Sequence, residues 1–315
     1  MNKSTTIGIA TMPEREKALE EALLSLIHQV DNIYVYFNNF EGDIPDYLHY
    51  LKDNNDNLKY YFSEKEIGDL TDFGGFYKAH EAKGYFISCD DDLIYPENFV
   101  SEITKACERY DNKCAVGYHG RIYQGKVKSY YHGYSTLHPI DQTLQRDRFT
   151  HIVAGCAMCF HVDNFKFKLS DVDYINYPRM KDIHLAVAAH KQKVPRIVLA
   201  HTKGQFKISD KYDQKKAIHF EEHRSDSKQV EMFNSVDWKL LTYGNKRIKK
   251  TRPAPEPEIW WKTNKGGYFK QKRSMVIDLI RAKKIVEATK EEMKTKEIGF
   301  DIEYEIKKVL IIIND

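Results

Sequence analysis

The feature that most constrains this chain is the regular exchange of strand and helix patterns over its first hundred residues. "STTIGIATM" carries an apolar run of strand length, and Pro13 then opens "EREKALEEALLSLIHQ", whose apolar residues recur at helical spacing. "DNIYVYFNN" predicts the next strand, "DYLHYLKD" a short helix, "NLKYYFSE" a strand, "FGGFYKAHEAK" a helix and "GYFISCD" a fourth strand. Strands separated by helical crossovers pair in parallel, so this order predicts an α/β fold: a mixed, mostly parallel sheet flanked by helices. Ligands of such sheets bind at the carboxyl ends of the strands.

One of those ends carries three aspartates in a row, Asp90, Asp91 and Asp92, within "YFISCDDDLIYPENF". If the strand continues through them, Asp90 and Asp92 share a face and Asp91 points away. Two carboxylates aimed at one volume repel each other. A divalent cation with hard oxygen ligands removes the conflict, and it usually completes its shell with substrate phosphates. The plain alternative is an acidic loop or helix cap that holds no metal.

Further along, "YPENFVSEITKACERY" predicts a helix and "KCAVGYHGRIYQGKVKSYYHGYS" strands with turns. "HIVAGCAMCFHVDNF" is a second apolar stretch, interrupted by Gly155; "RMKDIHLAVAAHKQK" reads as a helix and "PRIVLAH" as a strand. The charged, turn-rich segment Thr202 to Asp226 reads as a mobile loop. Near Lys246 the composition shifts, and "KKTRPAPEPEIWW" reads as a linker or arm. The expected organisation is a domain over 1–245, with a nucleotide-binding half 1–110 and an acceptor half 111–245. A Pro-containing linker and a basic, helical extension over 246–315 follow. Within that extension Met275 to Met293 has helical period, and "FDIEYEIKKVLIII" reads as a last strand or helix.

Apolar content of 42% with 30% charged residues is that of a globular protein. No apolar run approaches the roughly 20 residues of a membrane span, and Ile7 to Ala10 is too short for a secretory signal, so a cytoplasmic location is expected. Five cysteines, an odd number, fit reduced thiols; the C-x-x-C of Cys156 and Cys159 lacks the second ligand pair of a zinc site. Net charge is only +3, but basic residues concentrate in "NKRIKKTRP" and "NKGGYFKQKR". That region could face phosphates or anionic lipid, or be a solvated helical face.

In "IGIATMPER", "IYVYFNN", "GDLTDFGGFYK" with "YFISCDDDLIYP", and "MKDIHLA" with "VPRIVLAH", the chain resembles the GT-A fold nucleotide-sugar glycosyltransferases, especially the bacterial family 2-like group. The resemblance runs from Ile7 to His201, is looser in its second half, and does not extend beyond about Gly204. It implies a GT-A (Rossmann-like) domain in which the first strand and its loop, Thr11, Pro13, Glu14 and Arg15, hold the nucleoside. It places Asn38 and Asn39 beside the base or ribose, Asp69 or Asp72 at the uracil edge, and Asp90 and Asp91 at the nucleotide. The D-x-D pattern implies Mn2+ or Mg2+ on Asp90 and Asp92, with His201 as a third ligand. Gly155 would lie beneath the donor sugar.

The general base of inverting relatives corresponds to Asp182. Its usual acidic neighbour is replaced here by Lys181, which would lower the pKa of the base; Asp182 could equally cap its helix. The reaction implied is transfer of a hexose from a nucleotide-sugar, UDP preferred, to a hydroxyl of a glycan or lipid-linked saccharide acceptor in bacterial surface polysaccharide biosynthesis, with inversion. A retaining transferase and a sugar nucleotidyltransferase are the alternatives within the fold. A binding protein that uses its basic C-terminal region is the non-enzyme alternative. Of its two surfaces, peripheral contact with the inner face of the membrane is preferred to nucleic acid, and self-association is left open.

Overall fold

Ile7 and Ile9 alternate with Gly8 in the first strand, and that alternation sets the two layers around the sheet. In the computed structural model, residues 3–40, 44–213, 226–243, 258–262 and 268–272 are described. The chain divides into two compact units, Met1–Thr251 and Arg252–Asp315. In the first, β1 (Thr5–Thr11) leads through a 3-10 turn at Pro13–Arg15 into α1 (Glu16–Leu26), followed by β2 (Asn32–Phe37), α2 (Asp46–Asp53), β3 (Leu58–Phe62) and β4 (Tyr85–Cys89). Then come β5 (Leu93–Ile94), α3 (Phe99–Arg109), β6 (Ala115–Gly117), β7 (Gly120–Tyr123), β8 (Tyr134–His138), β9 (Arg148–Thr150) and β10 (Ile152–Val153). β11 (Ala157–His161), α4 (Lys181–Lys191), β12 (Arg196–Val198), β13 (Lys207–Ile208) and α5 (Ser227–Asn234) complete it.

Eight strands form one sheet in the order β3-β2-β1-β4-β11-β6-β12-β9. β3, β2, β1 and β4 pair in parallel, as do β6 and β12, while β11 and β9 run antiparallel to their neighbours. This is the mixed, mostly parallel sheet flanked by helices that the alternating pattern predicts, compatible with a Rossmann-like arrangement.

On one face Ile7 and Ile9 are fully buried with Leu19 and Leu23 of α1 and Ile103 of α3. Each such side chain contributes about 1.5–3 kcal/mol by leaving water. Gly8 looks to the other face, where a Cβ would lie 1.8 Å from the carbonyl oxygen of Gly75. The helix expected over "FGGFYKAHEAK" is therefore not formed: Thr71–Phe76 and Ala79–Glu81 are 3-10 turns. Gly74 and Gly75 let the bare backbone lie on the strand, an approach that the side chains of an α-helix would prevent.

The segment expected to be a mobile loop from Thr202 is in part built into the fold. β13 pairs antiparallel with β5, and Phe206 and Tyr212 are buried. Residues 214–225 lie outside the described residues. In the second unit, β14 (Glu258–Lys262) pairs antiparallel with β15 (Tyr268–Lys272), so the extension expected to be helical is strand where it is described. The linker at 246–257, the helix expected over 275–293 and the last apolar segment lie outside the described residues. Among the described residues no helix is long and apolar enough to cross a membrane.

Candidate functional site

Because β1, β2 and β4 run parallel, the segments that follow them emerge at one edge of the sheet. Thr11 to Arg15, Asn38 with Asn39, and Asp90 to Asp92 thereby border one cleft of about 930 Å3. The turn at Asp69–Asp72 and the start of α4 supply further walls.

The three aspartates do not alternate as a strand would have them. β4 ends at Cys89, and Asp91 and Asp92 occupy a turn, so the expectation that Asp91 points away is overturned. Arg15 reaches across from the first turn: its Nη1 donates to Asp91 Oδ1 at 2.6 Å and lies 3.3 Å from Asp92 Oδ2. The guanidinium stacks on the Tyr212 ring, 4.2 Å from its centroid. Burial alone would lower the Arg15 pKa, but Asp91 and Asp92 more than offset it and hold the group above its usual value. Asp91 is 2% exposed, and burial, against the pull of Arg15, raises it to about 6.

Asp90 has a different cation. Lys181 Nζ donates to Asp90 Oδ1 at 2.6 Å, and its long chain passes beside Gly155, where a Cβ would come within 2.9 Å of Lys181 Cε. The Lys181 backbone N–H donates to Asp72 Oδ2 at 3.1 Å, so a carboxylate from the glycine turn caps the first turn of α4. Burial raises Asp72 to about 6, with Lys181 opposing. The turn at Asp90 is pinned from below: Tyr95 Oη accepts from the Asp90 N–H at 2.8 Å and donates to the Cys156 carbonyl at 2.6 Å.

Asp182 lines the cleft, and its Oδ1 accepts from the Gly155 N–H at 2.8 Å. Lys181 does act to depress this carboxyl, as its charge predicts. Burial outweighs the lysine, whose ammonium is spent on Asp90, and Asp182 is raised above the ordinary carboxylate value.

Other expected site residues separate. Thr11, Glu14, Arg15, Asn39, Asp69, Asp72, Asp90, Asp91, Asp92 and Asp182 border the cleft. Asn38 borders it too, but its amide is used to tie the walls together, donating to the Thr11 and Thr71 carbonyls and accepting from the Leu70 N–H. Pro13 and Gly155 shape the chain beside the cleft without lining it. His201 is overturned as a metal ligand. It is fully buried away from the cleft lining, and its ring nitrogens face the Leu199 and Pro139 carbonyls at 2.7 and 3.1 Å.

Strain also gathers here. Asn39, Thr71 and Arg179, all on the cleft, have φ of 54, 51 and 57°, a left-handed conformation costing about 1–2 kcal/mol for a residue with a Cβ. Lys181 entered the sequence reading only as a departure from a pattern, and Arg121, His119, Tyr130 and Tyr212 did not enter at all. Burial, with Arg121 beside it, drives His119 down to about 3, so it stands as a neutral ring in the cleft.

The cleft is rich in carboxylate oxygens, the donor type of hard divalent cations, with Asp90 and Asp92 already paired to Lys181 and Arg15. Carboxylates outnumber cations along the cleft: Glu14, Asp69, Asp72, Asp90, Asp91, Asp92 and Asp182 face Arg15, Arg121, Arg179 and Lys181. A diphosphate would meet net negative charge there, and hard carboxylate oxygens hold Mg2+ or Mn2+. Among the described residues no three Asp, Glu, His or Cys side chains converge as a ligand set. A cation that draws the rest of its shell from phosphates and water needs none. No family model matches the chain, and no curated protein is significantly similar to it.

Proposed function

We propose that the chain is a metal-dependent glycosyltransferase of the GT-A type, which moves a sugar from a nucleotide diphosphate to an acceptor hydroxyl with inversion. The observation that carries this reading is a pairing at one edge of a parallel sheet. The acidic turn Asp90–Asp92 borders the same cleft as Asp182, a half-buried carboxyl held at the start of α4 with its pKa raised.

Asp90 and Asp92 would hold the cation, which when bound offsets charge on the leaving diphosphate. Arg15 and Lys181 orient those carboxylates and bring positive charge of their own to the phosphate end. The Gly155 N–H fixes Oδ1 of Asp182, which aims the second oxygen for an acceptor hydroxyl. The acceptor O–H bond breaks with its proton passing to Asp182, and the acceptor oxygen bonds to the anomeric carbon. The bond from that carbon to the phosphate oxygen breaks, and its electron pair leaves with the nucleotide diphosphate. A raised pKa makes the carboxylate a better proton acceptor at neutral pH.

The test is UDP release from a panel of UDP-sugars with wild type and Asp182→Asn. A general base contributes about 10²–10⁴-fold, so the variant should lose turnover in that range while UDP affinity stays within twofold. Wild-type rates in the variant remove Asp182 from the chemistry.

A further inference from the structure

The cleft has a second cationic pole that the donor site does not use. Arg121 lies on β7, and its guanidinium is held between the rings of Tyr130 and Tyr131, 5.0 and 5.6 Å from their centroids. The backbone that carries those rings is itself fixed. The Asp226 carboxylate accepts from the N–H groups of Tyr130 and Tyr131 at 2.7 and 3.2 Å and from the Ser129 hydroxyl at 2.7 Å. Asp226 is the residue that leads into α5, so the aromatic wall is braced by that helix.

Among the described residues Arg121 makes no ion pair; its side chain hydrogen-bonds those of Tyr123 and Tyr130, and its buried Nε has no hydrogen-bond partner. A partly buried guanidinium without a bidentate partner is an unusual arrangement, since planar N–H pairs match a carboxylate or phosphate edge. Asp182 borders the same cleft and acts on Arg121 through space. Tyr131 and Tyr134 line the cleft beside it, with ring faces of the kind that stack on the apolar face of a pyranose.

Resting on the transferase reading, we infer that Arg121 and the Tyr130–Tyr131 wall form the acceptor subsite, and that they select an acceptor saccharide bearing an anionic group, a carboxylate or a phosphate. The acceptor hydroxyl meets Asp182 while its anionic substituent is forked by Arg121. Rings that already hold the guanidinium leave little side-chain freedom to be lost on binding.

The test is an NMR titration of the full chain with glucuronic acid, glucose 6-phosphate and glucose, in the presence of Mn2+ and UDP, repeated on Arg121→Met. At least one acidic sugar should bind tenfold or more tighter than glucose, and that preference should fall to within twofold in the variant. Whichever acidic sugar wins tells carboxylate from phosphate. Arg121→Lys, which keeps the charge but not the fork, should lose at least threefold of the preference and serves if the methionine variant does not fold. Equal affinity for acidic and neutral sugars, no measurable binding of any of them, or a preference that survives both variants overturns the inference. UDP titrated alone separates the two readings. UDP binding without an acidic preference leaves the transferase and removes the subsite; an Arg121-dependent preference without UDP binding does the reverse.

Discussion

The Lys181 ammonium lies 2.6 Å from Asp90 Oδ1, which ties the first residue of α4 to the acidic turn after β4 across 91 positions of sequence. Both residues border the cleft. Lys181 also opposes protonation of Asp72 and Asp182, but burial outweighs it at both carboxyls.

Replacing Lys181 by Met removes the charge that opposes protonation of Asp72 and Asp182. Both pKa values should rise further, and because a base must be deprotonated to act, the acidic limb of the pH–turnover profile should move to higher pH. A limb that stays in place would show that Lys181 does not act on the base.

Asp91 titrates at about 6 in the folded chain against an ordinary 3.8, so folding takes up a proton between those values. Its charged form therefore lowers stability as the pH rises from about 4 to about 6, with no further change above. Buried histidines such as His119 and His151, held down at about 3 and 4, act in the opposite sense, so the effect is read as a difference between two proteins. Relative to wild type, Asp91→Asn should gain stability between pH 4 and pH 6.5, by roughly 3 kcal/mol, measured by urea unfolding at each pH. A difference that does not change with pH contradicts a buried, raised Asp91.

Gly8→Ala should destabilise the chain by more than the about 1–3 kcal/mol of ordinary overpacking, because the added carbon meets backbone and not a side chain that can turn away. Since the displaced turn carries Thr71 and Asp72, nucleotide affinity should fall with stability. An alanine variant that melts within a degree of wild type would mean that the turn is not seated on β1.

How much of this was legible in the sequence follows from how local each signal is. β1 to β4, β12 and α1, α2, α3 and α4 were readable because their apolar periods lie within one segment. Gly74 and Gly75 misled: an apolar, aromatic stretch reads as a helix until Gly8 of another strand is known to face it. The acidic turn was visible as three letters, but its cations were not, since Arg15 is 76 residues from Asp91 and Lys181 is 91 from Asp90. Strand alternation also failed at Asp91, because nothing local marks Cys89 as the last residue of β4. His201 was proposed as a ligand from its place at a strand end, whereas both ring nitrogens face backbone carbonyls that only folding brings near. Arg121 carries no sequence signal at all, being one basic residue among 49.

The most direct test of the account is calorimetric titration of UDP, GDP and CMP into the full chain, each with Mn2+ and with EDTA, repeated on Asp92→Ala. Binding of one nucleotide, UDP by this account, should require the metal and be lost in the variant. Absence of binding by any nucleotide, or binding equally strong in EDTA and in Asp92→Ala, would mean that Arg15 and Lys181 neutralise these aspartates for structural reasons and that the cleft serves another ligand.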